Sequence, residues 1–94
     1  MGGNPKGDTA VYVGSRPTMN YVMAVIMNFN KGKFCSVKAR GNAISKAVDV
    51  CEIVKNRFMK DVTYRGIDLS TEQVTGKDGK ETNVSAIEIK LSLL

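Results

Sequence analysis

Histidine is absent from this 94-residue chain, and so is tryptophan. Without histidine there can be no Cys–His or Ser–His nucleophile pair, and most zinc sites are excluded with it. Cysteine is scarce. Cys35 and Cys51 show no CxxC spacing and no extracellular context, so they read as small buried hydrophobes rather than a disulfide framework. No apolar run approaches the roughly 18–20 residues needed to cross a bilayer. The stretch from Met1 to Asp8 holds glycines and no apolar core, so no signal peptide is expected and the default compartment is the cytoplasm. No acid pair shares a loop and no metal-ligand cluster is visible, so neither an enzyme nor a cofactor is expected.

Charge is the informative term in what remains. Fourteen lysines and arginines face nine acids, giving +5 and a basic isoelectric point near 9.4. The excess is uneven: residues 1–60 carry +7 and residues 61–94 carry −2. A basic portion on a mixed chain points to an anionic partner, with nucleic acid first among the candidates. An apolar fraction of 43% and a length of 94 residues describe one small domain with a thin core.

Residues 1–9 read as a flexible arm, broken by Gly2, Gly3, Pro5 and Gly7, with one domain over 10–94. A short β-prone run, Thr9 to Val13, stops at Gly14. The loop Ser15-Arg16-Pro17 then leads into a helix over 17–30, with Pro17 at its first position and Met19, Val22, Met23, Ile26 and Phe29 on one face. Phe34 to Arg40 alternates as a half-buried strand, with Cys35, Val37 and Ala39 inward. Asn42 fits the N-cap of a second helix whose stripe runs through Ala43, Ile44, Ala47, Val48, Cys51, Val54 and Phe58, to about Met59.

The last third is β. Val62 and Tyr64 share one parity and Ile67 and Leu69 the other, so a bulge is expected at Gly66. An Asp78-Gly79 turn within Thr75–Thr82 joins that strand to a final one, in which Ile87, Ile89, Leu91 and Leu93 point inward and Glu88, Lys90 and Ser92 away. The order β-α-β-α-β-β implies an α/β (α+β) two-layer sandwich. Both helices lie on one face, and a C-terminal hairpin projects from it.

Three elements could carry binding. The loop holding Ser15 and Arg16 opens at a helix N-terminus, where backbone N–H groups favour anions and Arg16 adds a bidentate phosphate donor. The segment Lys38-Ala39-Arg40-Gly41-Asn42 repeats the arrangement, and neighbouring strands would bring Arg16 and Arg40 close together. Lys77 and Lys80 flank the hairpin turn, and a projecting β-ribbon can follow a groove of duplex DNA. Tyr12, Tyr21, Phe29, Phe34, Phe58 and Tyr64 show no base-stacking pattern and mostly read as core. Phe34 is the candidate for the surface, and Phe58 reads as core or as an interface knob.

The runs GSRPTMNYV (Gly14–Val22), KARGNAISKAVDV (Lys38–Val50) and EIVKNRF (Glu52–Phe58) closely resemble Alba, a family of small basic archaeal chromatin proteins. VTGKDGKETNVSAIEI resembles that family's C-terminus, so the likeness covers nearly everything from Val11 onward. It implies a fold similar to the C-terminal domain of translation initiation factor three and a homodimer that binds double-stranded DNA, and also RNA, with little sequence preference. By position, Arg16 and Arg40 match basic contact residues, Lys46 lies in the matched ISKAV segment, and Phe58 matches an aromatic used between dimers in filaments on DNA. Localisation to an archaeal cytoplasm or nucleoid follows from the same resemblance.

Ser15 and Asn42 stand where many relatives carry bases, so duplex binding weaker and less salt-dependent than theirs is expected. For the same reason acetylation of a loop lysine is not carried over. Two other classes compete with this reading. A small phosphate-ester hydrolase built on Arg40-Gly41-Asn42 lacks an acid pair, a histidine and a metal site. A module that dimerises and binds only proteins would show no nucleic-acid binding at low salt.

Overall fold

Alternation in Phe34–Arg40 builds the central strand of a four-stranded sheet, with Cys35, Val37 and Ala39 buried as the pattern requires. The structure, a computed structural model, describes residues 9–94; the arm expected over 1–9 lies outside it except for Thr9. In chain order the elements are β1 (Thr9–Tyr12), α1 (Thr18–Phe29), β2 (Phe34–Arg40), α2 (Ile44–Ile53), β3 (Thr63–Thr75) and β4 (Glu81–Ser92). A 3₁₀ turn, Gly41–Ala43, precedes α2, and a widened helical turn, Val54–Phe58, follows it. The sheet order is β1-β2-β4-β3, with β1 and β2 parallel and the other pairs antiparallel.

Both helices cover one face of the sheet. Val22, Val25 and Phe29 from α1 meet Ala47, Val50, Cys51 and Val54 over Val11, Val37, Ile89 and Leu91. Each fully buried valine or leucine there contributes roughly 1.5–3 kcal/mol relative to leaving it in water. Both cysteines are buried, and burial pushes the Cys51 thiol up to about 12, so it stays un-ionised.

Several details depart from the sequence pattern, among them Val48, expected on the α2 stripe but 41% exposed. Pro17 caps α1 from outside rather than opening it. Met19 and Met23 are outward, because packing selects the 22–25–29 face of a helix that is apolar on most sides. Asn42 is no N-cap: it sits inside the 3₁₀ turn, Ala43 precedes α2, and neither start has a side-chain cap hydrogen bond. Ser92 points away from the helices by parity yet is buried, flanked in register by Phe34 and Thr63, with its Oγ accepting from the Leu94 N–H at 3.0 Å.

The widened turn closes with the Met59 N–H donating to the Val54 carbonyl at 2.7 Å. That extra residue falls between Val54 and Phe58 of the expected stripe, and Phe58 lies about half exposed. The bulge falls at Gly66, where the β3–β4 register shifts between Tyr64 and Gly66. Tyr64 donates to a Glu52 carboxylate oxygen, tying β3 to α2 and holding Glu52 below the usual carboxylate range.

Beyond the Arg40–Ala86 pair, β3 and β4 run on without β2. The five residues Glu81–Ser85 project about 17 Å past the last β2 partner at roughly 3.4 Å each. The tip is a tight turn in which the Gly79 N–H reaches the Gly76 carbonyl at 3.0 Å, with Gly79 at φ +82°. The expected Asp78-Gly79 turn is therefore present.

Candidate nucleic-acid interface

The first strand-to-helix loop is held by two side chains. The Tyr21 hydroxyl oxygen, one turn into α1, accepts from the N–H groups of Gly14 at 3.0 Å and Arg16 at 3.1 Å. From α2, Lys46 Nζ donates to the carbonyls of Gly14 at 3.1 Å and Arg16 at 2.8 Å. Four backbone groups of the same short loop are thus occupied from below. Burial works against ionising Tyr21, but the Arg16 and Gly14 N–H bonds and the charges of Lys46 and Arg16 outweigh it and hold its pKa below the ordinary tyrosine value.

This clamp changes the chemistry expected of the loop. The Gly14 and Arg16 N–H groups point at Tyr21, so they are not offered to an anion in solution as the sequence pattern suggested. What the loop presents outward is the exposed side chains of Ser15 and Arg16. Lys46 sits at the loop as a tether, its ammonium directed to carbonyls. Tyr21 had no signal of its own, since a tyrosine on a helix ordinarily reads as core.

The second loop is built differently. Gly41 adopts φ +58°, a left-handed conformation that turns β2 directly into the 3₁₀ turn. Arg40 Nη1 donates to Glu72 Oε1 at 3.0 Å, an exposed ion pair between the body and the projecting hairpin. Asn42 is exposed beside it. Because β1 and β2 are parallel neighbours, both loops open at the same end of the sheet, as the sequence argument required. Lys77 and Lys80 are exposed but remote, at the tip of the arm.

The sheet face turned away from the helices completes the picture. One cross-strand row reads Tyr12, Lys38, Glu88, Asp68. Tyr12 is 70% exposed, with Lys38 Nζ 5.5 Å from its ring centroid. Arg65 stacks its guanidinium 4.2 Å from the Phe34 centroid on the same face. Asp68 pairs with Lys90 at 2.9 Å, and that hydrogen bond raises the Lys90 pKa. Of the six aromatics only Phe29 is fully in the core, so the expectation that most of them are core is overturned. Edge and outer-face positions expose large rings that alternation alone cannot place.

Among the described residues there is no group of three or more acids or cysteines that could hold a metal, and no helix is long and apolar enough to cross a membrane.

Comparison with known proteins gives a consistent result. The Alba family model matches residues 9–71. DNA/RNA-binding protein Alba 1 of Archaeoglobus fulgidus is 54% identical over 86 residues, spanning 90% of this chain and 96% of that protein. DNA/RNA-binding protein Alba of Methanocella arvoryzae is 48% identical over 85 residues, spanning 89% and 88%. Among solved structures, Alba from Thermoplasma volcanium superposes with a TM-score of 0.84 at 50% identity, covering 88% of this chain and 98% of that one.

Proposed function

Because the chain belongs to the Alba family, we propose that it is a dimeric, non-enzymatic protein that coats and compacts double-stranded DNA. Contact runs through phosphates, with little sequence preference. The observation that carries this reading is the pair of loops at one end of the sheet. They expose Arg16 on a backbone already fixed by Tyr21 and Lys46, beside Lys38 and Arg40 on the neighbouring strand. With its backbone already fixed, Arg16 has only side-chain freedom left to lose on meeting a phosphate, and bidentate pairing suits it to that partner. Relatives are named for binding DNA and RNA rather than for a reaction.

Dimerisation would use apolar side chains that the monomer leaves in water, with Ile67 54% and Leu69 76% exposed on the helix side of edge strand β3. Two copies would set four arginines and two hairpins, with Lys77 and Lys80 at their tips, along one duplex. The half-exposed Phe58 would serve contacts between dimers. A cytoplasmic, nucleoid-associated location follows from such a partner.

Fluorescence anisotropy with matched duplex DNA and duplex RNA, titrated across salt, tests this reading. Arg16→Ala/Arg40→Ala should weaken DNA binding strongly and lower the slope of log affinity against log salt by about 2 per chain, at roughly 0.9 per lost phosphate contact. A clear preference for RNA would transfer the same surface to RNA metabolism. Absence of binding to either duplex at low salt would overturn it.

A further inference from the structure

An open groove of about 600 Å³ lies on the sheet at the end where both strand-to-helix loops open, reaching Gly14 and Tyr21 of the first loop's clamp and sharing Lys38 and Arg40 with the surface proposed for duplex phosphates. Its near wall is Tyr12, Lys38 and Arg40, and its far wall is Asp68, Glu72 and Glu88. The small side chain of Ala86, set in register between Arg40 and Ser70, forms the floor. The volume lies in the range of sites that hold one small molecule.

The chemistry across the groove is ordered rather than mixed. A large ring comes first, then a cation beside it, then carboxylates, at about 4.8 Å per strand. A duplex backbone laid in this groove would meet the three acids, and its bases would be sealed in their stack. An unpaired nucleotide fits each wall in turn. Its base has a free face for Tyr12, its phosphate an ammonium and a guanidinium, and its exocyclic amino group the carboxylate acceptors.

We propose that this groove binds one unpaired nucleotide of a single strand, with its base stacked on Tyr12, its phosphate on Lys38 and Arg40, and its amino edge towards Glu88. The inference rests on the nucleic-acid reading above and adds to it a second mode, which shares Lys38 and Arg40 with the duplex surface and brings in Tyr12 and Glu88. Adenine and cytosine are favoured over uracil, because uracil turns carbonyl oxygens towards Glu88 where the other two present an amino donor. Tyr12 suits the stacking role because the ring is largely open to solvent while its backbone is fixed in the sheet.

The test is anisotropy with labelled oligo(rA), oligo(rC), oligo(rU) and a blunt DNA duplex, on the full chain. Tyr12→Ser should lower affinity for oligo(rA) and oligo(rC) about tenfold, within the span of base–aromatic stacking, while Tyr12→Phe stays near wild type. Duplex affinity should be the same in all three proteins, which also confirms that the variants fold. Glu88→Gln should erase the preference for oligo(rA) and oligo(rC) over oligo(rU). Single-strand binding indifferent to Tyr12, or a loss shared equally by the duplex, overturns the groove and leaves the duplex reading standing. A wild-type protein that binds no nucleic acid overturns both.

Discussion

The two strand-to-helix crossings look alike in sequence, each a strand, a glycine and an arginine, and then a helix. Their structures differ in what is held. In the first, the backbone is fixed by side chains from both helices, and the Arg16 side chain is left exposed. In the second, the backbone turns through Gly41 alone, and it is the side chain of Arg40 that is held, by Glu72. The first loop is therefore preset for a ligand, while the second must surrender an internal partner before it can bind one.

The glycines separate the two crossings most strongly. Gly41 sits at φ +58° with nothing within 4 Å of an added Cβ, so a side chain there meets only backbone strain. Gly14 has no such φ, and its Cβ would lie 3.5 Å from the Tyr21 hydroxyl, an ordinary contact. Gly41→Val should cost about 2 kcal/mol in urea unfolding, the order expected of a β-branched residue forced left-handed. Gly14→Ala should stay within about 0.5 kcal/mol. Equal losses would mean that the two turns are not held differently.

Much of this was legible in the chain and some was not, for identifiable reasons. Phe34–Arg40 could be placed to the residue because alternation fixes both a strand and its buried face. The parity switch at Gly66 announced the bulge for the same reason. Helix α1 was legible as a helix but not in orientation: apolar residues occupy most of its circumference, so only packing against the sheet sends Val25 in and Met23 out. The loop arginines were found because base, glycine and helix start are adjacent in sequence. Their partners were not, since Glu72 lies 32 residues from Arg40, and Lys46 lies 30 from Arg16. Local pattern carries no information about such pairs.

A smaller effect separates holding a loop from contacting a ligand. Tyr21→Phe removes the acceptor shared by two N–H groups but no charge. The loop is exposed, so water can take over part of that role, and the expected loss is about 1 kcal/mol in duplex affinity, roughly fivefold. The slope against salt should not change, because no phosphate contact is lost. Arg16→Ala, by contrast, should lower the slope by about 0.9 per chain. If Tyr21→Phe lowers the slope as well, the clamp does more than position Arg16.

The smallest effect has the most informative sign. Glu72 occupies the guanidinium that a phosphate would need, in a pair whose side chains are 61% and 49% exposed. Pairs this exposed contribute about 0–1 kcal/mol, so Glu72→Gln should cost little stability. The same substitution removes a carboxylate competing for Arg40 and a negative charge that repels an approaching backbone. Duplex affinity should therefore rise, by about two- to fivefold at low salt, and the gain should shrink as added salt screens both terms. In an Arg40→Ala background the competition no longer exists, and most of the gain should vanish with it. A gain that persists there would assign Glu72 a general electrostatic role. A loss of affinity would mean that the ion pair holds the hairpin in the position binding requires, which would put the second crossing under the same rule of presetting as the first.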